Sequence, residues 1–348
     1  MRLKKTTLNN IVTYALVIAA FIVCQLMVEA GTMTRSLRGQ LVPICVYIVM
    51  AVSLNLTVGI SGELSLGHAG FMSVGAFSGI VTSAWLLGAF GMENETARLI
   101  LSMLVGGAFA ACAGVIVGIP VLRLRGDYLA IVTLAFGEII RNVINCLYVA
   151  VEDGRVRVAF NDPKVAGKLV INGPAGATGV SKIATFGMGF ALILFTLFVV
   201  LNLINSRSGR AIMAVRDSRI AAESVGINVT KYRMMAFAIS AMLAGMAGAL
   251  YGLNYSTVTA SKFKFDTSIL VLVFVVLGGI GNIRGSIIAA ALLTVLPEVL
   301  RAFSDYRMLV YAVVLILVML ATNSPMLRGL FARILPRRRE SGKGGEAA

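Results

Sequence analysis

The stretch IATFGMGFALILFTLFVVLNLI (183–204) contains no charged residue. A helix of about 20 apolar residues spans the hydrocarbon core of a bilayer, which is about 30 Å thick. The stretch therefore predicts a transmembrane helix. It is followed almost at once by SRSGRAIMAVRDSRIAAESVGINVTKYR (206–233), which contains six Lys or Arg residues and predicts a connection outside the membrane.

The whole chain has the composition of a membrane protein. Its 348 residues are 58% apolar and 14% charged, with a mean hydropathy of +0.89, against roughly 45–50% apolar and 25% charged residues in soluble proteins. We therefore predict an all-α, polytopic bundle of about ten transmembrane helices. The predicted spans are 11–30, 41–60, 64–90, 97–121, 127–150, 183–204, 234–255, 268–283, 286–300 and 307–322.

The predicted spans leave no room for a soluble domain. A short arm (1–10) precedes the transmembrane region (11–322), and a basic tail (323–348) follows it. We expect the tail to associate with anionic lipid headgroups. Two hydrophilic segments lie within the transmembrane region: 152–182, rich in Gly and Pro, and 206–233.

The Lys and Arg residues predict the orientation. Ten spans place both termini on one side, and 18 of the 31 cations lie in segments on that side, against 12 on the other side and Arg141 within a span. Cytoplasmic connections are enriched in Lys and Arg. We therefore expect both termini and segment 206–233 in the cytoplasm, and loop 152–182 outside.

Several classes of function are excluded by the sequence. The net charge of +15 is accounted for by connections and the tail, so it does not indicate nucleic-acid binding. No GxxxxGK[ST] motif occurs, so we expect ATP to be bound elsewhere than on this chain. A single histidine, four cysteines without ligand spacing and the lack of an HExxH motif argue against a metal site and against catalytic residues.

Two glycine-rich stretches interrupt the apolar runs, GISGELSLGHAG (59–70) and GGIGNIRG (278–285). Glycine weakens a helix by about 1 kcal/mol per residue, so we predict broken or re-entrant elements there. Paired interruptions of this kind point to the translocation path of a transporter. The alternative is that both are tight turns between helices.

Polar residues near the middle of the fifth span are candidates for the path. A charge at the centre of a span costs about 2.5–3.5 kcal/mol, so Glu138 and Arg141 are expected to face the bundle interior and to pair. This pair either gates a pathway or pins helices together. His68 is either a proton carrier or ligand, or a packing residue. The residues predicted to lie near the path are Ser65, His68, Phe71, Thr133, Glu138 and Asn142.

Segment 206–233 predicts one amphipathic helix of about four turns lying across the membrane surface. Ser208 is the expected cap at its start, Gly226 the residue that ends it, and Thr230 the cap of the next span. Small residues share one face, which suits docking into a groove of another protein. The alternative is a surface helix held by lipid headgroups. The small face consists of Ala211, Ala214, Ser218, Ala221, Ala222 and Val225.

This segment resembles the ATPase-contacting loop of the permease subunits of ABC importers, specifically the M-like subunit of the branched-chain amino-acid type. Residues Ala221-Ala222-Glu223 and Gly226 stand at its Ala/Glu/Gly signature, although their order and spacing depart from the importer consensus E-A-A-x-x-x-G. The stretches GISGELSLGHAGFMSVGAF (59–77) and RGDYLAIVTLAFGEIIRNV (125–143) resemble two further parts of that family. The similarity runs from about residue 40 to 322.

The resemblance implies a permease bundle of the type II-like importer class, located in the cytoplasmic (inner) membrane. It implies four partners: a second, H-like permease, two cytoplasmic ABC ATPases that bind the ATP, and an external substrate-binding protein. It also implies that 206–226 is the coupling helix. The residues implied to contact the ATPases are Gly209, Arg210, Ala214, Arg216, Ala221, Ala222, Glu223 and Gly226.

The function implied is translocation of branched-chain or hydrophobic amino acids, driven by ATP hydrolysis on separate subunits. The resembling branch also includes permeases for urea, short amides and other amino acids. A different class of function is a passive channel or an ion-coupled carrier, for which Glu63, His68, Glu138 and Arg141 would be the working residues.

Overall fold

The chain is mostly helical, as predicted. The computed structural model describes residues 5–31, 33–124, 126–152, 154–161 and 167–300, with positions 309–310, 312–313 and 316. The chain divides into one compact unit, Met1–Glu298, and a second, Val299–Ala348, and the features described below lie in the first. The helices are α1 (Lys5–Glu29), α2 (Arg35–Asn55), α3 (His68–Phe90), α4 (Glu95–Val121), α5 (Asp127–Asn145), α6 (Phe186–Asn205), α7 (Arg207–Asp217), α8 (Arg219–Ser224), α9 (Val229–Gly252), α10 (Phe265–Gly278) and α11 (Ile283–Val299).

Seven of the described helices are long and apolar enough to cross a membrane. They comprise α1 to α6 and α9, with α2 extended to Ile60 by one π-helical turn. The predicted spans 268–283 and 286–300 correspond to α10 and α11, of 14 and 17 residues. The predicted span 307–322 lies mostly outside the described residues, and the tail 323–348 lies wholly outside them. The number of ten spans therefore stays a prediction.

Helices α3, α4 and α9 pack together through glycines, and this contact forms the centre of the bundle. A Cβ atom on Gly75 would overlap the carbonyl group of Gly245, and one on Gly248 would overlap the carbonyl of Met72. Small residues at such positions let helix backbones approach closely, which stabilises helix pairs that gain nothing from hydrophobic burial in lipid.

One departure from an all-helical bundle is a five-stranded antiparallel sheet. Its strands are β1 (Leu147–Glu152), β2 (Arg155–Phe160), β3 (Lys168–Asn172), β4 (Ala177–Thr178) and β5 (Thr257–Val258), in the order β2-β1-β3-β4-β5. The predicted fifth span, 127–150, therefore ends earlier, at Asn145. The run LYVAVE is apolar enough to extend a span, but it forms a hairpin with β2 around Gly154 and also pairs with β3.

The sheet and the glycine-rich segment 61–67 mark opposite ends of the bundle. Helix α3 has 23 residues and is therefore about 35 Å long. Segment 61–67 precedes its first residue, whereas near its last turns the Trp85 Nε1 donates a hydrogen bond of 2.8 Å to the carbonyl oxygen of Gly154 beside the sheet. We call the end with segments 61–67, 206–228 and 279–282 the coupling end, and the other the sheet end.

Candidate functional site

Segment 206–233 forms two short helices, so the predicted single helix of four turns is wrong. Helix α7 ends at Asp217 and α8 begins at Arg219, because Ser218 adopts an extended conformation and its Oγ accepts a hydrogen bond from the amide of Ala221. Ser218 thus caps a second helix. Gly226 does end the segment in a left-handed conformation, with φ of +80°, as predicted.

The predicted capping residues at the two ends of this segment are also wrong. Ser206, not Ser208, caps α7 by accepting a hydrogen bond from the amide of Gly209. Asn228, not Thr230, caps α9, since its Oδ1 accepts from the amide of Lys231 at 3.0 Å. The first hydroxyl or amide side chain after each preceding element takes the capping position.

Six of the eight residues assigned to ATPase contact are exposed, and two are not. Those exposed are Arg210, Ala214, Arg216, Ala221, Glu223 and Gly226. Gly209 is buried against α6, where a Cβ atom would overlap the carbonyl groups of Leu203 and Ile204. Ala222 is buried in a small cluster with Val215 and Val229. These two residues position the segment. The exposed residues other than Arg216 form its outer surface, while the guanidinium of Arg216 binds inward to Gly59.

Two large apolar side chains lie on the same surface: Val225, which belongs to the predicted docking face, and Ile220, which does not. Ile220 is 82% exposed and Val225 is 73% exposed. For Ile220 the available signal is a branched apolar side chain at the start of a short, otherwise polar helix; a single long helix would have placed small residues on the docking face instead. These side chains add apolar area to the exposed, otherwise charged surface of this segment.

The first glycine-rich stretch interrupts the helices, as predicted, and contacts α7. After the π-helical turn Leu56–Ile60, the chain is not helical until His68. The Arg216 Nη1 donates a hydrogen bond of 2.9 Å to the carbonyl oxygen of Gly59. The methylene groups of Arg216 also cover Gly62, whose φ of +76° favours glycine and whose lack of a side chain admits the arginine stem.

A buried ion pair joins the same interruption to α9. The Arg233 Nε lies 2.6 Å from the Glu63 Oε1, and this contact is ionic, since its N–H direction does not fit a hydrogen bond. Glu63 is only 5% exposed. Burial raises the pKa of the Glu63 carboxyl, while the charges of Arg233 and Arg219 oppose that rise.

An open pocket of about 470 Å³ lies beside the ion pair. Glu63, Arg219 and Arg233 supply its charged groups, and the rest of its lining is mostly apolar. The other lining residues are Gly62, Leu64, Leu124, Gly126, Leu129, Ser218 and Ile220. The pocket therefore separates the break between α7 and α8 from the first interruption and the start of α5.

The second interruption contacts the first. The side-chain amide of Asn55 bridges them, since its Oδ1 accepts from the amide of Gly281 and its Nδ2 donates to the Ser286 Oγ, both at 2.9 Å. A Cβ atom on Gly59 would overlap the amide nitrogen of Gly281. Each interruption connects two consecutive helices at the coupling end, which agrees with the tight-turn alternative; their part in a path stays a prediction.

The six residues predicted near a path are divided between the interior and the surface. Ser65, His68, Phe71 and Thr133 are buried, Glu138 is partly buried and Asn142 is exposed. Thr133 lies against segment 65–67, since its Oγ1 accepts a hydrogen bond of 3.0 Å from the amide of Leu66.

His68 and Phe71 lie among packed side chains. The His68 Nε2 is 2.8 Å from the Ser53 Oγ, and the ring of Phe71 packs edge to face on both His68 and Phe237. A fully enclosed histidine with one hydroxyl partner agrees with the packing interpretation of this residue. Its neighbour Ser53 also binds α9, because its carbonyl accepts a hydrogen bond of 2.5 Å from the Ser240 Oγ.

The predicted pairing of Glu138 with Arg141 is confirmed, at 2.7 Å between Oε2 and Nε. The other carboxylate oxygen, Oε1, accepts a hydrogen bond of 3.2 Å from the amide of Phe265, the first residue of α10. Glu138 therefore satisfies a free amide at a helix N-terminus, where negative charge is favourable. The contact pins α5 to α10, as one of the two alternatives stated.

The sequence matches the family described as branched-chain amino acid transport system / permease component over residues 36–319. It is 34% identical over 334 residues to the high-affinity branched-chain amino acid transport system permease protein LivM of Salmonella typhimurium. The alignment covers 86% of this chain and 69% of that protein. LivM of Escherichia coli is 34% identical over 309 residues, and that alignment covers 79% of this chain and 66% of the relative.

The permease protein LivH of Salmonella typhimurium is more distant, with 26% identity over 291 residues, 81% of this chain and 91% of that protein. The chain thus spans about two thirds of the length of the LivM relatives and aligns with most of LivH. No solved structure gives a match.

Proposed function

This chain belongs to the branched-chain amino acid transport permease family, and from that premise we propose its substrate, its partners and its orientation. It is a membrane transport permease and not an enzyme. We propose that it translocates branched-chain and other hydrophobic amino acids as a subunit of an ABC importer. The LivM and LivH relatives, both named for branched-chain amino acids, support this substrate class over urea or short amides.

The proposed assembly contains four other subunits. A second, LivH-like permease completes the membrane part, two cytoplasmic ABC ATPases supply the energy, and an external substrate-binding protein delivers the amino acid. The similarity of this chain to both LivM and LivH supports pairing of two related permeases. ATP would be bound by the ATPases, and this chain would need no cofactor.

One observation carries the proposed coupling role: the α7–α8 segment presents an exposed surface while its inner face is fixed to the bundle. Ile220, Glu223 and Val225 are exposed, whereas Arg216 binds the carbonyl of Gly59 between α2 and α3. A partner that moved α7 and α8 would therefore move the backbone at a helix junction. We propose that the two ATPases each dock one such segment, one of which is on this chain.

Reconstitution of the complete importer in proteoliposomes tests this role. We expect Glu223→Arg and Ile220→Asp to reduce ATP-driven leucine uptake and substrate-stimulated ATP hydrolysis together, because both changes disturb docking. The matched control is Arg157→Ala on the exposed surface of the sheet end. Unchanged uptake in both docking variants would contradict the coupling role, and uptake that persists with inactive ATPases would indicate a channel or an ion-coupled carrier.

The proposed orientation places both termini and the coupling end in the cytoplasm, within the cytoplasmic membrane. The six cations of segment 206–233 support it under the positive-inside rule. We further propose that the arm 1–10 and the basic tail 323–348 face the anionic inner leaflet. Labelling of a single cysteine at position 225 from one side of sealed vesicles checks the orientation.

We propose that the translocation path runs near Ser65, His68, Phe71, Thr133, Glu138 and Asn142. Asn142, the exposed residue of this set, would face the second permease. Cysteine substitution followed by a water-soluble thiol reagent tests the set, after the exposed Cys112 and Cys146 have been replaced. Lack of labelling and of substrate protection at all six positions in both nucleotide states would contradict this assignment.

A further inference from the structure

We call α7 and α8 the coupling segment. Two contacts attach the first interruption to α7, within this segment, and to α9, which follows it. The guanidinium of Arg216, in α7, binds the carbonyl oxygen of Gly59 at 2.9 Å. The guanidinium of Arg233, in α9, lies 2.6 Å from the carboxylate of Glu63. The two attachment points are four residues apart on one non-helical or π-helical stretch, and the two arginines belong to different helices.

The chemistry of the second contact indicates that it serves geometry more than stability. Removing two charges from water costs free energy that their attraction seldom fully repays, so a buried ion pair contributes little net stability compared with apolar side chains of similar size. Loss of one partner is costly, however, because the other charge is left buried and unpaired. A pair of this kind keeps two segments in one relative position.

The surroundings leave room to move at the Glu63 end of this stretch. The pocket of about 470 Å³ borders Glu63 and Leu64 on one side and Ser218 and Ile220 on the other. On its far side, by contrast, the stretch is tightly packed, since Gly67 lies against the backbone carbonyl of Thr133. A displacement of α7 and of the N-terminal turns of α9, where Arg233 lies, would therefore first move residues 59–63, together with Gly281 packed against Gly59, before it reached α3.

We propose that Arg216 and Arg233 are positioning residues that clamp residues 59–63, so that this stretch follows the coupling segment when the ATPases close. The clamp is defined as the Arg216–Gly59 and Arg233–Glu63 contacts. Its proposed role rests on the coupling role proposed above, and residues 59–63 are the element that receives the motion. It assigns to Glu63 a mechanical role in this chain. Glu63 then acts through Arg233 and need not touch the amino acid.

Loss of the clamp has a signature that simple misfolding lacks. With Glu63→Gln the side-chain shape is retained and the charge is lost, so the ATPases still dock on α7–α8 and still hydrolyse ATP. We expect leucine uptake per ATP hydrolysed to fall by about tenfold, within the roughly 5- to 150-fold range of coupling between sites. The exchange Glu63→Arg with Arg233→Glu should restore part of that ratio.

The matched control is the Glu152–Arg157 pair at the sheet end, 3.3 Å apart and exposed. Glu152→Gln should leave the ratio unchanged. An unchanged ratio in Glu63→Gln overturns the clamp, whether uptake and hydrolysis both persist or both fall by the same factor. If the native complex shows no ATP-dependent uptake at all, the proposed function itself fails, so the two failures are distinguishable.

A distance measurement tests the clamp without disturbing it. Spin labels are placed at Leu64, within the clamped region, and at Lys231, in the first turn of α9, in a complex without native cysteines. The clamp predicts the same distance between these labels in the nucleotide-free and ATP-bound complexes, while the distance from Leu64 to a label at Tyr128 in α5 changes. The proposal is overturned if the Leu64–Lys231 distance changes as much between the two states as the Leu64–Tyr128 distance does.

Discussion

The two ends of this bundle are held together in different ways. At the sheet end, neighbouring strands share a ladder of backbone hydrogen bonds, and the pair Arg157–Glu152 lies exposed on its surface. At the coupling end, a few side chains from distant parts of the sequence hold single backbone groups, as Asn55 holds Gly281 and Arg216 holds Gly59. A ladder resists displacement along its whole length, whereas single contacts allow one segment to move with another.

The strongest test of this difference is to add a methyl group at Gly59, which disrupts the single contacts at the coupling end. Its Cβ would overlap the backbone of Gly281 and the side chain of Asn55, and neither can retreat without losing a hydrogen bond. We expect Gly59→Ala to destabilise the protein by about 3 kcal/mol, at the upper end of overpacking costs. Thermal unfolding in detergent measures it, and Gly187→Ala, where no atom lies within 4 Å of the added methyl, is the control.

Removal of the Asn55 amide tests the contacts at the coupling end with a smaller expected loss of stability. Asn55→Leu keeps the volume but leaves the amide of Gly281 without its acceptor and removes a hydrogen bond to the Ser286 Oγ. An unsatisfied buried donor costs about 1–3 kcal/mol, so we expect a loss of about 2 kcal/mol. Hydrogen exchange should accelerate at 279–286 and stay unchanged in β1 and β3; acceleration at both ends would contradict the separation.

At the sheet end, a single charge should matter little. The Arg157 and Glu152 side chains are 53% and 40% exposed, and exposed ion pairs contribute about 0–1 kcal/mol. We expect Arg157→Ala to change the unfolding free energy by less than about 1 kcal/mol. A larger loss in thermal unfolding would show that the sheet, too, depends on individual side chains.

The smallest expected effect is on pH dependence, and it arises at the coupling end. Because burial raises the pKa of Glu63 in the folded protein, the folded state binds this proton more tightly than the unfolded state does. The contribution of Glu63 to stability is present below its ordinary pKa of about 4.3 and is lost as the pH rises through the raised pKa. Between these two pKa values, the melting temperature of Glu63→Gln should depend less on pH than that of the native protein. The same dependence of melting temperature on pH in both proteins would contradict the raised pKa of Glu63.

Much of the bundle follows from local sequence. Uninterrupted apolar runs predict α2, α4 and α6 because a membrane helix must satisfy its backbone internally and cover it with apolar side chains. Glycine density predicts the interruption in 59–70 because glycine weakens a helix, and the non-helical part is 61–67. Pairing of Glu138 with Arg141 needs only their spacing on one helix.

Other features depend on distant residues or on competing local signals. The contact from Arg216 to Gly59 spans 157 residues, and no local pattern indicates it. The strand β1 is apolar enough to continue α5, and only its partners β2 and β3 favour extended backbone. The break at Ser218 had a local signal, a serine that can cap a helix three residues before its amide partner, but the expectation of one long helix outweighed it.

The last strand of the sheet has a consequence for how the chain is made. Strand β4 pairs with β5 through Ala177–Val258 and Thr178–Thr257, and α6 to α9 lie between them in the sequence. At 5–20 residues synthesised per second, the ribosome needs roughly 4 to 16 s to make that interval. During this time the edge of β4 is unpaired, so insertion of the intervening helices and completion of the sheet are ordered events, and a pause in translation before residue 257 would prolong exposure of that edge to other chains.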